Sequence, residues 1–532
     1  MALANGNPHI GQRALLCFSF VTLCFLQSWF TLAFPEQLYY RKYSPLEAVI
    51  VPVLCCEAIL FALLLGAWWA SDRFIKPRHR TWLRIAALLV SLIPAGFTAK
   101  VLAIQAVEHL GFPRRHGGLF AGLFACVGFL LIVRYPRRIV PLVRRGFLLA
   151  VPVELFICIS ALWTSVVSLP QLAYADQLAP PPPVGTPPGS RVIWFIFDEM
   201  SQRIAFEARP SDVALPNFDR LRAASLHADE AYSPADSTKI SIPSLVLGRT
   251  VQCSVESGPR ELRLGFEGQG SKGCRHGQPW SAQSNVFDDV RKLGGKTAAV
   301  GWFHPYGRIL RHSLDACYWV PSWLQRGVEE PYGNQSLWAR MVFRLEEQFT
   351  QLPLARHLPV LGDNHARNVK VHEYEFLRTQ AMSLAADRSF TLVFLHMPLP
   401  HMPGIYSRRE GRLCDCGTYL DNLVLADRFV GDVRRAMEQS GVWDSSWIIV
   451  SADHSWRLYL WRGGPSWTGE EERASGGIES KLVPFLVKAP NQHEPLSFSQ
   501  KYETVNTRRL IDATVTKQIT TPADAERLML LH

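Results

Sequence analysis

Five long apolar segments in the first 170 residues are the strongest constraint on the fold of this 532-residue chain. They are Ala14–Phe34, Leu46–Ala70, Trp82–Val107, Gly117–Val133 and Gly146–Leu169. A membrane-spanning helix needs about 20 apolar residues. Four of the five segments are long enough, and Gly117–Val133 is marginal. The first segment has no charged leader and no small-residue cleavage site, which favours an uncleaved span over a signal peptide. We predict an α-helical membrane bundle of about five spans.

The distribution of charge predicts the orientation of this bundle. Residues 1–170 hold 16 Lys and Arg against 6 Asp and Glu, so they carry the whole net charge of +10. Most of these basic residues lie in two loops, 71–81 and 134–145, and basic loops stay cytoplasmic. The remaining chain is neutral overall, which argues against a nucleic-acid partner. We therefore expect a multi-pass protein of the inner membrane whose C-terminal part lies outside, in the periplasm of a Gram-negative cell.

A proline-rich run, Asp176–Ser190, separates the apolar part from the rest and predicts an extended spacer. This gives three parts: a transmembrane domain at 1–170, a linker at 171–190 and a soluble domain at 191–532. In the soluble domain, short apolar runs alternate with amphipathic helical patterns, which is typical of an α/β fold with a mostly parallel central sheet. The predicted strands are Val192–Phe197, Thr297–Phe303, Thr391–His396, Trp447–Ala452 and Val483–Val487.

Potential metal ligands follow several of these strands. They are Asp198 and Glu199, His304, His396 and His401, and Asp453 and His454. Ligands bind beyond the carboxyl ends of parallel strands, and oxygen with nitrogen donors suit a divalent metal, zinc first and manganese as the alternative. One acidic strand end is more often a turn or a helix cap, but the coincidence of several favours a metal site.

A loop of hydroxyl residues could supply a nucleophile. Ser237, Thr238 and Ser241 lie together before an apolar run. A hydroxyl beside a divalent cation can lose its proton and attack phosphorus. The alternative is an ordinary Ser or Thr helix cap.

The order of these motifs resembles the alkaline phosphatase and sulfatase superfamily, and within it the membrane-anchored phosphoethanolamine and phosphoglycerol transferases. The resemblance covers about residues 191–490 and rests on several segments in order. They are VIWFIFDEM, LPNFDRLRAASLHADEAYSP, TKISIPSLVLGR, the strand ending in Trp302 and His304, FLHMPLPHMPGIY and VSADH. An alkaline-phosphatase-like fold is expected from this likeness.

The resemblance also implies roles. Thr238 would be both metal ligand and nucleophile, and Asp453 and His454 would bind the metal with Asp198, Glu199 or both. His401 would hold or protonate the phosphoryl group, with His396 or His304 near it.

Two departures from the pattern bear on the reaction. The Cys or Ser followed by x-Pro-x-Arg that sulfatases convert to formylglycine is absent, since Lys239 and Ile240 follow Thr238. The transferases usually carry a further histidine soon after the Asp-His pair, whereas here Ser455, Trp456 and Arg457 follow. A phosphate-contacting histidine is therefore missing, and Arg457, Arg462 or Lys481 is the candidate substitute for its charge.

These observations predict a metal-dependent transferase that moves a phospho-headgroup from a phospholipid donor to an envelope glycan or lipid acceptor through Thr238. A membrane-bound hydrolase, either a phosphodiesterase or an atypical sulfatase, shares the same site and differs in using water as the acceptor. A catalytically degenerate envelope scaffold is the non-enzymatic alternative.

Five cysteines lie outside the apolar part, namely Cys253, Cys274, Cys317, Cys414 and Cys416. Disulfides are permitted in the periplasm, and Cys253 with Cys274 is the candidate pair. Cys414 and Cys416 could form half of a metal site, but no second cysteine pair completes it.

Overall fold

The computed structural model describes most of the soluble domain and part of the apolar region. The described residues are 9–33, 39–40, 46–76, 134–175, 177–182, 189–267, 276–321, 336–350, 363–464 and 466–531, with single residues at 123, 126, 127, 130 and 274. The chain divides into two compact units. One comprises Met1–Pro35, Ser44–Pro170 and Gly327–Gly362, and the other comprises Glu36–Tyr43, Gln171–Arg326 and Asp363–His532.

The first unit is helical where it is described. Its helices are α1 (Ile10–Cys24), α2 (Leu26–Ala33), α3 (Leu46–Phe74), α4 (Pro136–Ala175) and, from the segment far along the chain, α9 (Leu337–Thr350). Among the described helices, α3 and α4 contain apolar stretches of 25 and 27 residues, long enough to cross a membrane by length and composition. The first predicted span, Ala14–Phe34, is divided between α1 and α2, which have 15 and 8 residues, so it is not one continuous spanning helix. The predicted segments Trp82–Val107 and most of Gly117–Val133 lie outside the described residues. The described part of the chain therefore has two candidate spans where about five were predicted.

The second unit is built on an eight-stranded sheet, with a three-stranded sheet and a hairpin beside it. The strands are β1 (Arg191–Asp198), β2 (Leu226–Tyr232), β3 (Val251–Glu256), β4 (Leu262–Phe266), β5 (Gln278–Pro279), β6 (Lys296–Phe303), β7 (Ala316–Pro321), β8 (Phe390–Pro400), β9 (Tyr406–Ser407), β10 (Arg412–Leu413), β11 (Ser446–Ala452), β12 (Leu486–Lys488) and β13 (Leu496–Glu503). The large sheet has the order β13-β2-β12-β11-β1-β8-β6-β7. All pairings in it are parallel except β11 with β12 and β12 with β2.

Helices cover both faces of this sheet. They are α5 (Pro216–Arg222), α6 (Thr238–Leu247), α7 (Val286–Lys292), α8 (Tyr306–Ile309), α10 (Asp363–Ala386), α11 (Tyr419–Gln439), α12 (Leu458–Trp461), α13 (Gly469–Ser475), α14 (Thr507–Val515) and α15 (Pro522–Met529). Every residue of the central strand β1 is buried, as expected for a parallel strand covered on both faces. The mostly parallel α/β fold predicted from the sequence is confirmed.

The disulfide prediction is confirmed in part and extended. Cys253 on β3 is bonded to Cys274, and Cys414 is bonded to Cys416 beside the β9–β10 hairpin. Cys317 belongs to neither disulfide. The second disulfide was not predicted, because two cysteines one residue apart more often indicate shared metal binding than a bond to each other.

Candidate metal and nucleophile site

The carboxyl ends of β1 and β11 bring three potential ligands together. The side chains of Asp198, Asp453 and His454 are buried, and each offers one ligand atom within 4.8 Å of the others. His454 Nε2 lies 3.4 Å from Asp198 Oδ1 and 3.4 Å from Asp453 Oδ2. β1 and β11 are parallel neighbours in register, so residues just past their ends necessarily meet at one edge of the sheet.

Among the described residues, no lysine or arginine forms an ion pair with Asp198 or Asp453. Asp198 Oδ1 and Asp453 Oδ2 are buried and have no hydrogen-bond partner in this part of the chain. Burial, then the charges of Asp453 and Glu199, raise the pKa of Asp198 well above its usual range. Burial raises the pKa of Asp453 to about 7. Buried carboxylates with free lone pairs are costly unless a cation compensates them, so these atoms fit a divalent metal.

His454 has the tautomer that a ligand needs. Its Nδ1 lies 3.1 Å from the carbonyl oxygen of Ser455, and because a carbonyl only accepts, Nδ1 carries the hydrogen. Burial, reinforced by Arg457, lowers the pKa of His454 to about 3, so the ring is neutral and Nε2 keeps its lone pair. A backbone carbonyl that fixes the ring in this way is common behind metal-binding histidines.

Thr238 lies against the same cluster. It is the first residue of α6, 4% exposed, and its Oγ1 is 3.4 Å from Asp198 Oδ2 and 3.3 Å from His454 Nε2. Ser237 occupies the helix-cap position but makes no side-chain cap bond. Ser241 exchanges hydrogen bonds with Ala235 and so braces the preceding loop. Of the three hydroxyls considered from the sequence, that of Thr238 is the one that contacts the ligand cluster.

Glu199 points to different partners. Its φ of 63° is unusual for a residue with a side chain, and its carboxylate is not grouped with the ligand atoms of Asp198, Asp453 and His454. Arg457 Nε donates to Glu199 Oε1 at 2.6 Å, and Trp461 Nε1 lies 3.0 and 2.9 Å from the two carboxylate oxygens. The structure thus groups Asp198, but not Glu199, with the other two ligands.

Arg457 is the basic candidate that lies at the site. Besides Glu199, its guanidinium donates to the carbonyl oxygen of Asp236, two residues before Thr238, at 3.3 Å. Arg462 instead pairs with Glu472 at the surface. Arg457 can therefore supply, next to the loop that leads to Thr238, the positive charge that the missing histidine would have provided.

His401 lies beside Glu199 in the loop that follows β8. Its Nε2 is 3.8 Å from Glu199 Oε2, and its backbone N–H donates to the carbonyl oxygen of Asp198 at 3.1 Å. Its Nδ1 donates to the carbonyl of Met402, which leaves Nε2 without a hydrogen in the neutral ring. Burial, with Lys370 and Arg457, lowers the pKa of His401.

The other two predicted histidines lie behind the site. His304 is fully buried, with Nδ1 2.8 Å from the Tyr39 hydroxyl and Nε2 3.2 Å from the carbonyl oxygen of Thr238. His396 is fully buried too, with Nδ1 2.7 Å from the Tyr306 hydroxyl. Neither ring belongs to the three-ligand cluster.

Several residues that support the site were not singled out as functional from the sequence. Asn422 accepts from the Ile405 N–H and donates to the carbonyls of His401 and Pro403, and buried Lys370 also donates to both carbonyls. Tyr419 donates to the Glu199 carbonyl at 2.8 Å. These side chains project from helices α10 and α11, where an isolated polar residue on a buried face gives no pattern to read.

No protein-family model matches the sequence, and no curated protein matches it. Solved structures do match. The sulfatase PsFucS1 from Pseudoalteromonas sp. has 14% identity and TM-score 0.40, covering 63% of this chain and 69% of that one. The phosphonate monoester hydrolase of Agrobacterium radiobacter has 12% identity and TM-score 0.38, covering 62% and 74%.

A third match is the lipoteichoic acid synthase LtaP from Listeria monocytogenes, with 12% identity, TM-score 0.37, and coverage of 65% of this chain and 77% of that one. What the site does in this protein has to follow from its own residues.

Proposed function

We propose that this protein is a membrane-anchored, metal-dependent enzyme that transfers a phospho-headgroup from a phospholipid to an envelope glycan or lipid through Thr238. The observation that carries the proposal is the shared location of a helix-start hydroxyl and a buried ligand set. Thr238 Oγ1 contacts Asp198 and His454, while Asp198 Oδ1 and Asp453 Oδ2 are buried without a hydrogen-bond partner among the described residues. A degenerate scaffold has no need to keep these groups together.

A divalent cation held by Asp198, Asp453 and His454, with Thr238 as a further ligand, would lower the pKa of a hydroxyl and offset charge on a phosphoryl group. In the first displacement, Thr238 Oγ1 forms a bond to phosphorus, and the bond between phosphorus and the diacylglycerol oxygen breaks. The proton lost by Thr238 ends on that leaving oxygen. In the second displacement, the acceptor oxygen forms a bond to phosphorus, the bond between phosphorus and Thr238 Oγ1 breaks, and the acceptor's proton returns to Thr238 Oγ1.

The surrounding residues have defined parts in this proposal. His401 Nε2, which carries no hydrogen in the neutral ring, relays the proton between Thr238, the leaving oxygen and the acceptor hydroxyl. Arg457, fixed by Glu199 and by the Asp236 carbonyl, supplies positive charge for a phosphate oxygen. His304 and His396 support the site from behind.

The lipid donor is proposed because α3 and α4 are long and apolar enough to anchor the chain in a membrane. An anchored enzyme meets phospholipid at high local concentration, and the predicted orientation puts the α/β domain in the periplasm, where envelope acceptors are found. The two disulfides of this domain accord with an oxidising compartment.

The test uses full-length protein in vesicles that contain phosphatidylethanolamine and phosphatidylglycerol with zinc or manganese. Diacylglycerol release reports the first displacement, and mass spectrometry of the Thr238 peptide reports the covalent phosphoryl ester. Thr238→Ala should abolish both while the melting temperature stays near that of the wild type, and Thr238→Ser should retain partial turnover. Full turnover by Thr238→Ala would refute the proposed nucleophile.

The fate of the headgroup separates transfer from hydrolysis. A phospho-headgroup found on an added glycan or lipid acceptor supports a transferase. Free headgroup phosphate in the presence of acceptor would instead indicate the hydrolase, in which water takes the second step. Mass spectra of envelope lipids and glycans from cells with and without the protein identify the acceptor.

A further inference from the structure

Two tyrosines from the segment between α2 and α3 form part of the α/β unit. Tyr39 and Tyr40 belong to the segment Glu36–Tyr43, which clusters with that unit, although the chain on both sides of it clusters with the helical one. The two side chains are 0% and 3% exposed and lie within the main apolar core. Their rings contact each other edge-on, and Tyr40 contacts Phe303 at the end of β6.

Tyr39 is linked to the nucleophile through His304. The Tyr39 hydroxyl is 2.8 Å from His304 Nδ1, and His304 Nε2 is 3.2 Å from the carbonyl oxygen of Thr238. A carbonyl oxygen only accepts, so Nε2 carries the hydrogen and donates. In the neutral ring with its hydrogen on Nε2, Nδ1 is an acceptor. The Tyr39 hydroxyl then donates to Nδ1, which fixes the tautomer that holds Thr238.

Tyr40 reaches the next residue of the same turn. Its hydroxyl donates to Glu256 Oε1 on β3, and Lys239 Nζ lies 2.7 Å from the same oxygen. Two adjacent tyrosines thus act on two adjacent residues, the Thr238 backbone through a histidine and the Lys239 side chain through a carboxylate.

We propose that the segment between the first two apolar regions positions the nucleophile: Tyr39 orients Thr238 through His304, and Tyr40 restrains Lys239 through Glu256. Tyr39 and Tyr40 are positioning residues, since their hydroxyls bond to His304 and Glu256 and not to the ligand cluster. The expected loss of activity on removing the Tyr39 hydroxyl rests on the proposed function of Thr238. The expected loss of backbone rigidity at the start of α6 does not.

Tyr39 and Tyr40 lie in the core of the α/β unit. A soluble fragment that begins after the proline-rich linker would therefore lack part of its own core, and it would lack the Tyr39 hydroxyl that begins the hydrogen-bond chain to Thr238. The membrane-proximal chain is then more than an anchor, since it contributes side chains that complete the unit carrying the site.

The test compares Tyr39→Phe with Tyr502→Phe in the full-length protein in detergent with saturating zinc. Tyr502 is also a buried tyrosine, 2% exposed, and its hydroxyl bonds to Thr507, so its variant controls for losing a buried hydroxyl elsewhere in the unit. The readouts are hydrogen exchange of the peptide covering Thr238–Leu247, bound zinc per chain, and kcat and KM with bis(4-nitrophenyl) phosphate.

We expect Tyr39→Phe to speed exchange in the α6 turn at least tenfold and to lower kcat at least tenfold, with KM and bound zinc unchanged. Tyr502→Phe should leave all four quantities at the wild-type level, and Tyr40→Phe should speed exchange near Lys239. Unchanged exchange in Tyr39→Phe, or an equal change in Tyr502→Phe, would overturn the positioning role. If the wild type does not turn over the diester while exchange still responds to Tyr39→Phe, the positioning role stands and the proposed function fails.

Discussion

The ion pair between Arg457 and Glu199 allows a quantitative test of how the site is held together. The Glu199 side chain is 0% exposed and that of Arg457 is 15% exposed, with Nε and Oε1 2.6 Å apart. Replacing Arg457 with Met leaves the buried carboxylate with the indole N–H of Trp461 as its one side-chain hydrogen-bond donor among the described residues. Removing one member of a buried pair typically costs about 3–5 kcal/mol, because the remaining charge is uncompensated.

The double variant Arg457→Met/Glu199→Gln should recover much of this loss. A neutral glutamine can keep a hydrogen bond from Trp461 without leaving a buried charge, so we expect a coupling free energy of about 1–3 kcal/mol between the two positions. The assay is thermal unfolding followed by tryptophan fluorescence in detergent at saturating zinc, which keeps metal binding constant across variants.

Arg462→Met is the matched control, because Arg462 pairs with Glu472 through side chains that are 50% and 41% exposed. Surface pairs of this kind are weak, so its melting temperature should match that of the wild type. If Arg457→Met also melts like the wild type, or if the double variant is no more stable than Arg457→Met, Glu199 does not depend on Arg457 and the account of this pair is wrong.

Three further predictions concern the metal, the loop after β8 and the disulfide. Chelation should lower the melting temperature, since a cation that binds only the folded protein contributes about 2.7 kcal/mol at a hundredfold excess over Kd. Asp453→Asn should abolish this difference between metal-bound and chelated protein. An unchanged melting curve after verified metal loss would contradict the metal site. Asn422→Ala should destabilise the protein by about 1–3 kcal/mol and reduce kcat, because the Asn422 side chain holds the His401 loop by four hydrogen bonds, to Ile405, Pro400, His401 and Pro403. A stable variant with normal kcat would argue against that support. Replacing Cys253 and Cys274 with serine should lower the free energy of unfolding by about 3 kcal/mol, as expected for a disulfide that joins residues 21 positions apart. Unfolding of the wild type with and without reductant measures the same loss, and equal stability in both conditions would show that the bond does not stabilise the fold.

The central sheet could be predicted because its strands carry a strong and local pattern. β1, β6, β8 and β11 are buried on both faces, so each is a continuous apolar run flanked by polar residues, and the predicted and observed bounds of β11 differ by one residue. The strand predicted at Val483–Val487 is observed as β12 at Leu486–Lys488. Its antiparallel direction was not predicted, because direction is set by the connections and not by the strand's own residues. Edge strand β13 buries only Phe498 and Tyr502 among its eight residues and was not recognised.

The candidate site, like the sheet, could be predicted only in part. Asp198, His401, Asp453 and His454 follow strand ends, so the topology of a parallel sheet predicts that they meet. The separation of Asp198 from Glu199 could not be predicted, because it depends on the positive φ of Glu199 and on Arg457, whose side chain comes from beyond another strand. The contact of Tyr39 with His304 joins residues 265 positions apart, and neither residue carries a local pattern that indicates the other.

The balance of charge around Thr238 predicts which ester the site prefers. Arg457 compensates Glu199, and a divalent cation would compensate Asp198 and Asp453, with His454 neutral. Burial lowers the pKa of Lys370 to about 7, so at neutral pH it contributes between zero and one positive charge. The occupied site would then carry a net charge between 0 and +1, which matches a singly charged ester.

A phosphate monoester carries nearly two negative charges at neutral pH, since its second pKa is about 6. One uncompensated charge at 4 Å costs about 4 kcal/mol at an effective dielectric constant of 20. We therefore expect kcat/KM for bis(4-nitrophenyl) phosphate to exceed that for 4-nitrophenyl phosphate at least tenfold. 4-Nitrophenyl sulfate distinguishes the effect of substrate charge from that of the transferred group, because it is singly charged like the diester but carries a sulfuryl group. Equal turnover of the two phosphates would refute the charge balance, whereas turnover of the sulfate at the diester's rate would leave the charge balance intact and refute phosphoryl transfer as the preferred reaction.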